Sequence, residues 1–91
     1  MNLEQVPKIV PNLIWRVLNE ETVVVSPING EYCVFNEVGT IIWQLLTENY
    51  CQADIEKYLI RYYEVSKEQA SLDVSCFLSD LQQRGLLIKG V

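Results

Sequence analysis

Side-chain catalysis has little to work with in this chain. It contains no histidine, so the commonest general base and metal ligand is missing. The cysteines Cys33, Cys51 and Cys76 form no Cys-x-x-Cys pair, and no histidine is available to complete a zinc set or activate a thiol. An odd number of cysteines rules out a complete disulfide framework, so buried free thiols in a reducing cytoplasm are expected. Glu20-Glu21 falls in a polar turn. Asp54 and Glu56 fall in the first turns of a helix, where acids complement the positive end of the helix dipole. The four glycines are scattered and make neither a Gly-x-Gly-x-x-Gly fingerprint nor a phosphate-binding loop. The expectation is a non-enzymatic chain with no metal and no cofactor.

The chemistry that remains belongs to the main chain. Glu31-Tyr32-Cys33-Val34-Phe35 is apolar apart from Glu31, strand-forming and free of proline. It follows a hairpin signal, Asn29-Gly30, and runs directly into a helix, so in a simple meander it lies at a sheet edge. Such an edge presents unpaired N–H and C=O groups and invites another extended chain. Strand addition would hold a peptide by its backbone, with side pockets choosing its residues. Coverage of the edge by another element of the chain, or by a second copy, is the alternative that the pattern leaves open.

The elements that must position this strand are legible from periodicity. Residues 1–11 carry Pro7 and Pro11 and read as an extended arm; residues 12–91 read as one domain. Leu13–Leu18 and Thr22–Ser26 are strand-forming runs separated by the polar turn Asn19-Glu20-Glu21. Asn36 can cap a helix that starts at Glu37, with Val38, Ile41, Ile42, Leu45 and Leu46 at helical spacing, Trp43 on a flank and Asn49 at the end. A second helix is predicted over Gln52–Tyr63, with Ile55, Tyr58, Leu59 and Tyr62 as its apolar positions. Ser66 with Gln69 forms a capping box for a third helix, whose stripe is Ala70, Val74, Phe77, Leu78 and Leu81 and whose stop is Gly85. Leu86-Leu87-Ile88 is an apolar tail that can pack back on the core. The fold class is α+β and winged-helix-like: a three-stranded antiparallel sheet followed by three helices.

Composition narrows the partners. Hydrophobic residues make up 49% of the 91, enough for a packed core, and the net charge of −5 disfavours nucleic acid and anionic membrane. The third helix sets Lys67 against Glu68, Asp73 and Asp80, too acidic a frame to hold phosphates, so a DNA-binding winged helix is a minor alternative. A structural or dimerisation subunit of a larger enzyme complex is another. The N-terminal sequence lacks the basic start, apolar core and cleavage site of a signal peptide, and no run reaches the roughly 18 apolar residues of a membrane span. A cytoplasmic location is expected.

With Gly30, Tyr32, Phe35-Asn36, Gly39, Tyr63-Glu64-Val65, Asp73-Val74, Phe77-Leu78 and Gly85-Leu86-Leu87 in that order and spacing, residues 30–87 resemble the PqqD family, the precursor-recognition elements of ribosomally synthesised and modified peptides. Gly30 and Tyr32 precede the short strand, and Phe35-Asn36 stands where the family usually has Leu-Asn. Gly39, Ile42, Leu45 and Leu46 follow in the first helix, then Tyr63-Glu64-Val65, Asp73-Val74, Phe77-Leu78 and Leu81, and finally Gly85-Leu86-Leu87. The family's usual Asp-Gly after the first helix is replaced by Thr47-Glu48-Asn49-Tyr50, a departure in a loop. The resemblance implies that a leader peptide adds antiparallel to the third strand and lies in a cleft against the third helix. It implies as partners a precursor peptide and a modifying enzyme such as a leader protease, a cyclase or a radical SAM enzyme, with the short form similar to the lasso-peptide type.

On this reading the peptide pairs with Glu31, Tyr32, Cys33, Val34 and Phe35, and the helix contributes Asp73, Val74, Cys76, Phe77 and Asp80. Val74 and Phe77 also fall on the apolar stripe and can equally be core. Asp73 and Asp80 would meet basic or polar leader residues, or simply be solvated. If Asn29-Gly30 is a two-residue type I′ turn, Ile28 pairs with Glu31, Ser26 with Cys33 and Val24 with Phe35 as hydrogen-bonded pairs. Pro27 then lies opposite Tyr32, and the N–H groups of Tyr32 and Val34 point outward.

Overall fold

The computed structural model describes residues 6–88. Three strands, β1 (Trp15–Leu18), β2 (Glu21–Val25) and β3 (Tyr32–Phe35), precede three helices, α1 (Glu37–Thr47), α2 (Gln52–Tyr63) and α3 (Lys67–Gln83). The helix ends follow local side-chain chemistry. Asn36 caps α1 by accepting from Gly39 N at 2.9 Å, and Ser66 caps α3 by accepting from Gln69 N at 3.0 Å. Only half of the expected capping box forms, because the Gln69 amide turns to Asp73 instead, at 2.7 Å. Gly85 closes α3 at φ 76°, and a Cβ there would lie 2.5 Å from Ile28 Cδ1, so glycine also lets the hairpin loop approach the helix end.

The strands form one antiparallel sheet in the order β1-β2-β3, which leaves β3 at an edge. The hairpin differs from its sequence expectation. The β2–β3 register pairs Thr22 with Phe35, Val24 with Cys33 and Val25 with Tyr32, a shift of two residues. Asn29-Gly30 is not a type I′ turn: Gly30 has φ 74°, but Asn29 is not among the positive-φ residues. A four-residue loop, 27–30, closes instead on Ser26 and Glu31, with Ser26 N donating to Glu31 O at 2.8 Å and Gly30 N donating to Ser26 O at 3.0 Å. Asn29 serves the loop through its side chain, accepting from Glu31 N at 3.0 Å. Pro27 therefore sits in the loop rather than opposite Tyr32.

The core lies between the inner sheet face and the helices. Val24, Cys33 and Phe35 from the sheet meet Ile42, Trp43 and Leu46 of α1, with Ile55, Leu59, Ala70, Val74, Leu78 and Leu81 from α2 and α3. Trp43, expected on a flank, is fully buried, because the sheet covers that flank with Trp15 at 5.8 Å and Phe35 at 5.6 Å between ring centroids. Tyr62, expected on the inner face of α2, is exposed and stacks on Tyr58 at 4.5 Å. Deep under the sheet the Thr22 hydroxyl donates to the Thr40 hydroxyl at 2.8 Å, and Thr40 in turn donates to Phe35 O at 3.4 Å. Leu86 and Leu87 are buried, and the tail is held by a bridge from Ile9 to Leu87, with Val10 N donating to Leu86 O at 2.9 Å. Residues 1–5 of the expected arm lie outside the described residues.

Candidate functional site

Backbone parity on β3 follows from two hydrogen bonds. Val25 N donates to Ile14 O of the β1 side, whereas Ser26 N donates to Glu31 O. Bonds alternate along a central strand, so β2 turns its even-numbered groups toward β3. Ser26–Glu31, Val24–Cys33 and Thr22–Phe35 are then the bonded pairs. Tyr32 and Val34 stand in non-bonded pairs, and their N–H and C=O groups point away from the sheet. The register shift is even, so this parity matches the sequence expectation although the partners do not. Side chains alternate with the backbone: Cys33 and Phe35 are buried, while Tyr32 and Val34 are 74% and 60% exposed.

Beside this edge runs α3. Residues 73, 77, 80 and 84 recur at helical spacing and form a stripe next to the buried one at 70, 74, 78 and 81. The stripe meets β3 at two points. Phe77 packs edge-on against Phe35, with ring centroids 4.9 Å apart. Arg84 Nη1 donates to Cys33 Sγ at 3.4 Å. Gly39 permits the first contact, since a Cβ there would lie 3.0 Å from both Phe35 Cβ and Phe77 Cε1.

Arg84 is fixed from behind. Its Nε donates to Asp80 Oδ2 at 2.9 Å, an i, i+4 ion pair with both side chains about half exposed. Hydrogen bonding to Asp80, then to Cys33, raises its pKa further, so it is cationic throughout the working range. In front of it is a cavity of about 230 Å³, bounded on the hairpin side by Ser26, Ile28, Asn29 and Glu31 and on the helix side by Gln83 and Arg84. A larger depression of about 540 Å³ lies along Lys67, Ser71, Leu72 and Ser75, on the opposite side of α3 from the stripe. Among the described residues no cluster of three or more His, Cys, Asp or Glu side chains could hold a metal, and no helix is long and apolar enough to cross a membrane.

Residues 21–87 match the family described as coenzyme PQQ synthesis protein D (PqqD). The chain belongs to the PqqD family. Two solved structures share its fold. One is TbiB1 in complex with the TbiA(beta) leader peptide, 26% identical, covering 92% of this chain and 98% of that one at a TM-score of 0.85. The other is lasso peptide synthetase B1 complexed with the leader peptide, 23% identical, covering 92% and 99% at a TM-score of 0.83. No curated protein matches the chain.

The positions named from sequence distribute unevenly around the β3 edge and the α3 stripe of this PqqD-family chain. Glu31 lies just before β3 and closes the hairpin rather than extending the strand. Val74 is fully buried, so it belongs to the core, and Phe77 is half-buried at the cleft floor. Asp73 is half-buried and accepts from Gln69, and Asp80 is engaged by Arg84 rather than free for a basic partner. Cys76 is exposed on the solvent side of the stripe. The expectation of three buried thiols holds for Cys33 alone, Cys51 being half-buried. Arg84 and Gln83 fall outside the sequence expectation, which rests on the apolar stripe of α3 and its acids. The signal was present in the spacing: Arg84 is i+7 from Phe77 and i+4 from Asp80.

Proposed function

We propose that this PqqD-family chain binds the leader segment of a ribosomally made precursor peptide by strand addition to β3 and presents it to a modifying enzyme. The observation that carries the reading is the β3 edge, unpaired among the described residues, whose Tyr32 and Val34 backbone groups face outward beside the Phe77–Arg84 stripe of α3. TbiB1, which shares the fold over almost the whole chain, is solved with a leader peptide bound. An antiparallel peptide would exchange both main-chain bonds with Tyr32 and again with Val34, extending the sheet to a fourth strand. Its residues opposite Phe35 and Cys33 would point toward α3, and those opposite Val34 and Tyr32 would lie on the outer face. The chain supplies binding and orientation, and the covalent chemistry belongs to a partner such as a leader protease, a cyclase or a radical SAM enzyme.

The test is fluorescence polarisation of the protein with the leader half and the core half of a precursor peptide, each alone. Saturable binding of the leader half, with none of the core half, is the expected result. Tighter binding of the core half contradicts the reading. A gel shift with random duplex DNA at physiological salt checks the alternative, and the acidic surface predicts no retardation.

A further inference from the structure

The cleft between β3 and α3 changes character along its length. At the Phe35 end the floor is aromatic, Phe35 against Phe77. One residue pair away, at Cys33, the wall is a cation. Arg84 has its Nε committed to Asp80 and one Nη1 hydrogen directed at Cys33 Sγ, which leaves its remaining Nη hydrogens for a partner. Asp80 holds the guanidinium in place and occupies only one of its edges.

We infer that Arg84 is a specificity-determining residue that selects an acidic side chain in the bound peptide, two positions C-terminal to an apolar one. The inference rests on antiparallel strand addition at β3. In that geometry the peptide residue opposite Phe35 comes first in its sequence and the residue opposite Cys33 comes two later. Both point to the α3 side, because directly opposed residues share a face. Opposed Cβ atoms are about 5 Å apart. A side chain opposite Cys33 therefore starts beside the sulfur that Arg84 touches at 3.4 Å. A carboxylate there reaches the free Nη edge and makes a charge-assisted bond. Two carboxylates compete: Asp80, which is bonded to the Nε edge at 2.9 Å and leaves the Nη edge open, and Glu31, the next same-face position on the strand, roughly 7 Å further along. Attraction at contact distance exceeds that repulsion in a half-exposed site. The apolar residue two positions earlier packs on Phe35 and Phe77. Asp80 acts as a positioning residue by holding Arg84 over Cys33.

The test is selection of a random twelve-residue peptide display library on the protein and on Arg84→Glu and Arg84→Gln. Arg84 is exposed and outside the core, and circular dichroism checks that both variants fold. The wild-type protein is expected to enrich apolar-x-Asp/Glu peptides, and the acidic peptides should bind Arg84→Gln roughly five- to tenfold more weakly. On Arg84→Glu the acidic position should switch to Lys or Arg while the apolar position is kept. Enriched peptides with no charge preference there, or with the same acidic preference on Arg84→Glu, overturn the inference and leave peptide binding at β3 standing. Failure to enrich any peptide overturns both.

Discussion

Strands β2 and β3 are close in composition and opposite in role. Thr22-Val23-Val24-Val25 and Tyr32-Cys33-Val34-Phe35 are both short, apolar and strand-forming, and they pair with one another. The central strand has a partner on each side: Val25 N reaches Ile14 O toward β1 and Ser26 N reaches Glu31 O toward β3. Among the described residues the outer strand has a partner strand on one side, so every second residue turns its donor and acceptor away from the sheet. The difference teaches that, on the proposed function, main-chain binding capacity comes from position in the sheet, while side chains such as Arg84 choose among peptides. On that proposal, an edge strand becomes a receptor when a helix stands where the missing neighbour's side chains would go.

Proline substitution breaks the comparison most sharply, because it removes one N–H at a time. Cys33→Pro deletes a donor that faces β2 and replaces a buried core residue. It is expected to lose roughly 3 kcal/mol or more and to fail to fold by circular dichroism. Val34→Pro deletes an outward donor on an edge strand. It should fold with a loss of about 1 kcal/mol and lose at least about tenfold in leader affinity by peptide titration. Wild-type affinity in a folded Val34→Pro protein would show that β3 is not the receptor.

Smaller changes sharpen the account of what holds β3 in place. Thr22→Val removes the partner of Thr40 under the sheet and leaves the Thr40 hydroxyl with only Phe35 O, at 3.4 Å. Urea denaturation should show a loss of roughly 1–2 kcal/mol, the scale of a compromised buried hydrogen bond. Asn36→Ala removes the cap that joins β3 to α1. The expected loss is about 1 kcal/mol by the same measurement, with leader binding retained. An equal loss of binding and stability in Asn36→Ala would mean that the β3–α1 junction belongs to the site.

Local chemistry made the helices legible and tertiary chemistry hid the rest. Asn36, Ser66 and Gly85 each state a helix boundary by a side-chain bond or a left-handed φ, and α2 spans the residues predicted. The hairpin was misread because Asn-Gly is a turn signal whose loop length is set by more than two residues. Ser26 Oγ, which accepts from Ile28 N, and Asn29 Oδ1 together stabilise a longer loop. The outward parity of Tyr32 and Val34 was nevertheless right, because a two-residue slip returns every group to its original side. Within the cleft, Phe77 was visible as part of a stripe, whereas Arg84 matters through a contact with Cys33 across 51 residues of sequence. No local pattern encodes that contact.

The central claim is that a peptide completes the ladder at Tyr32 and Val34. Amide hydrogen exchange on the ¹⁵N-labelled protein, free and saturated with the leader half of the precursor, measures it residue by residue. In the free protein the Cys33 and Phe35 amides should be protected, and those of Tyr32 and Val34 should exchange rapidly. On saturation the Tyr32 and Val34 amides should gain protection while Cys33 and Phe35 change little. Saturation that leaves Tyr32 and Val34 exchanging as fast as in the free protein contradicts strand addition at β3.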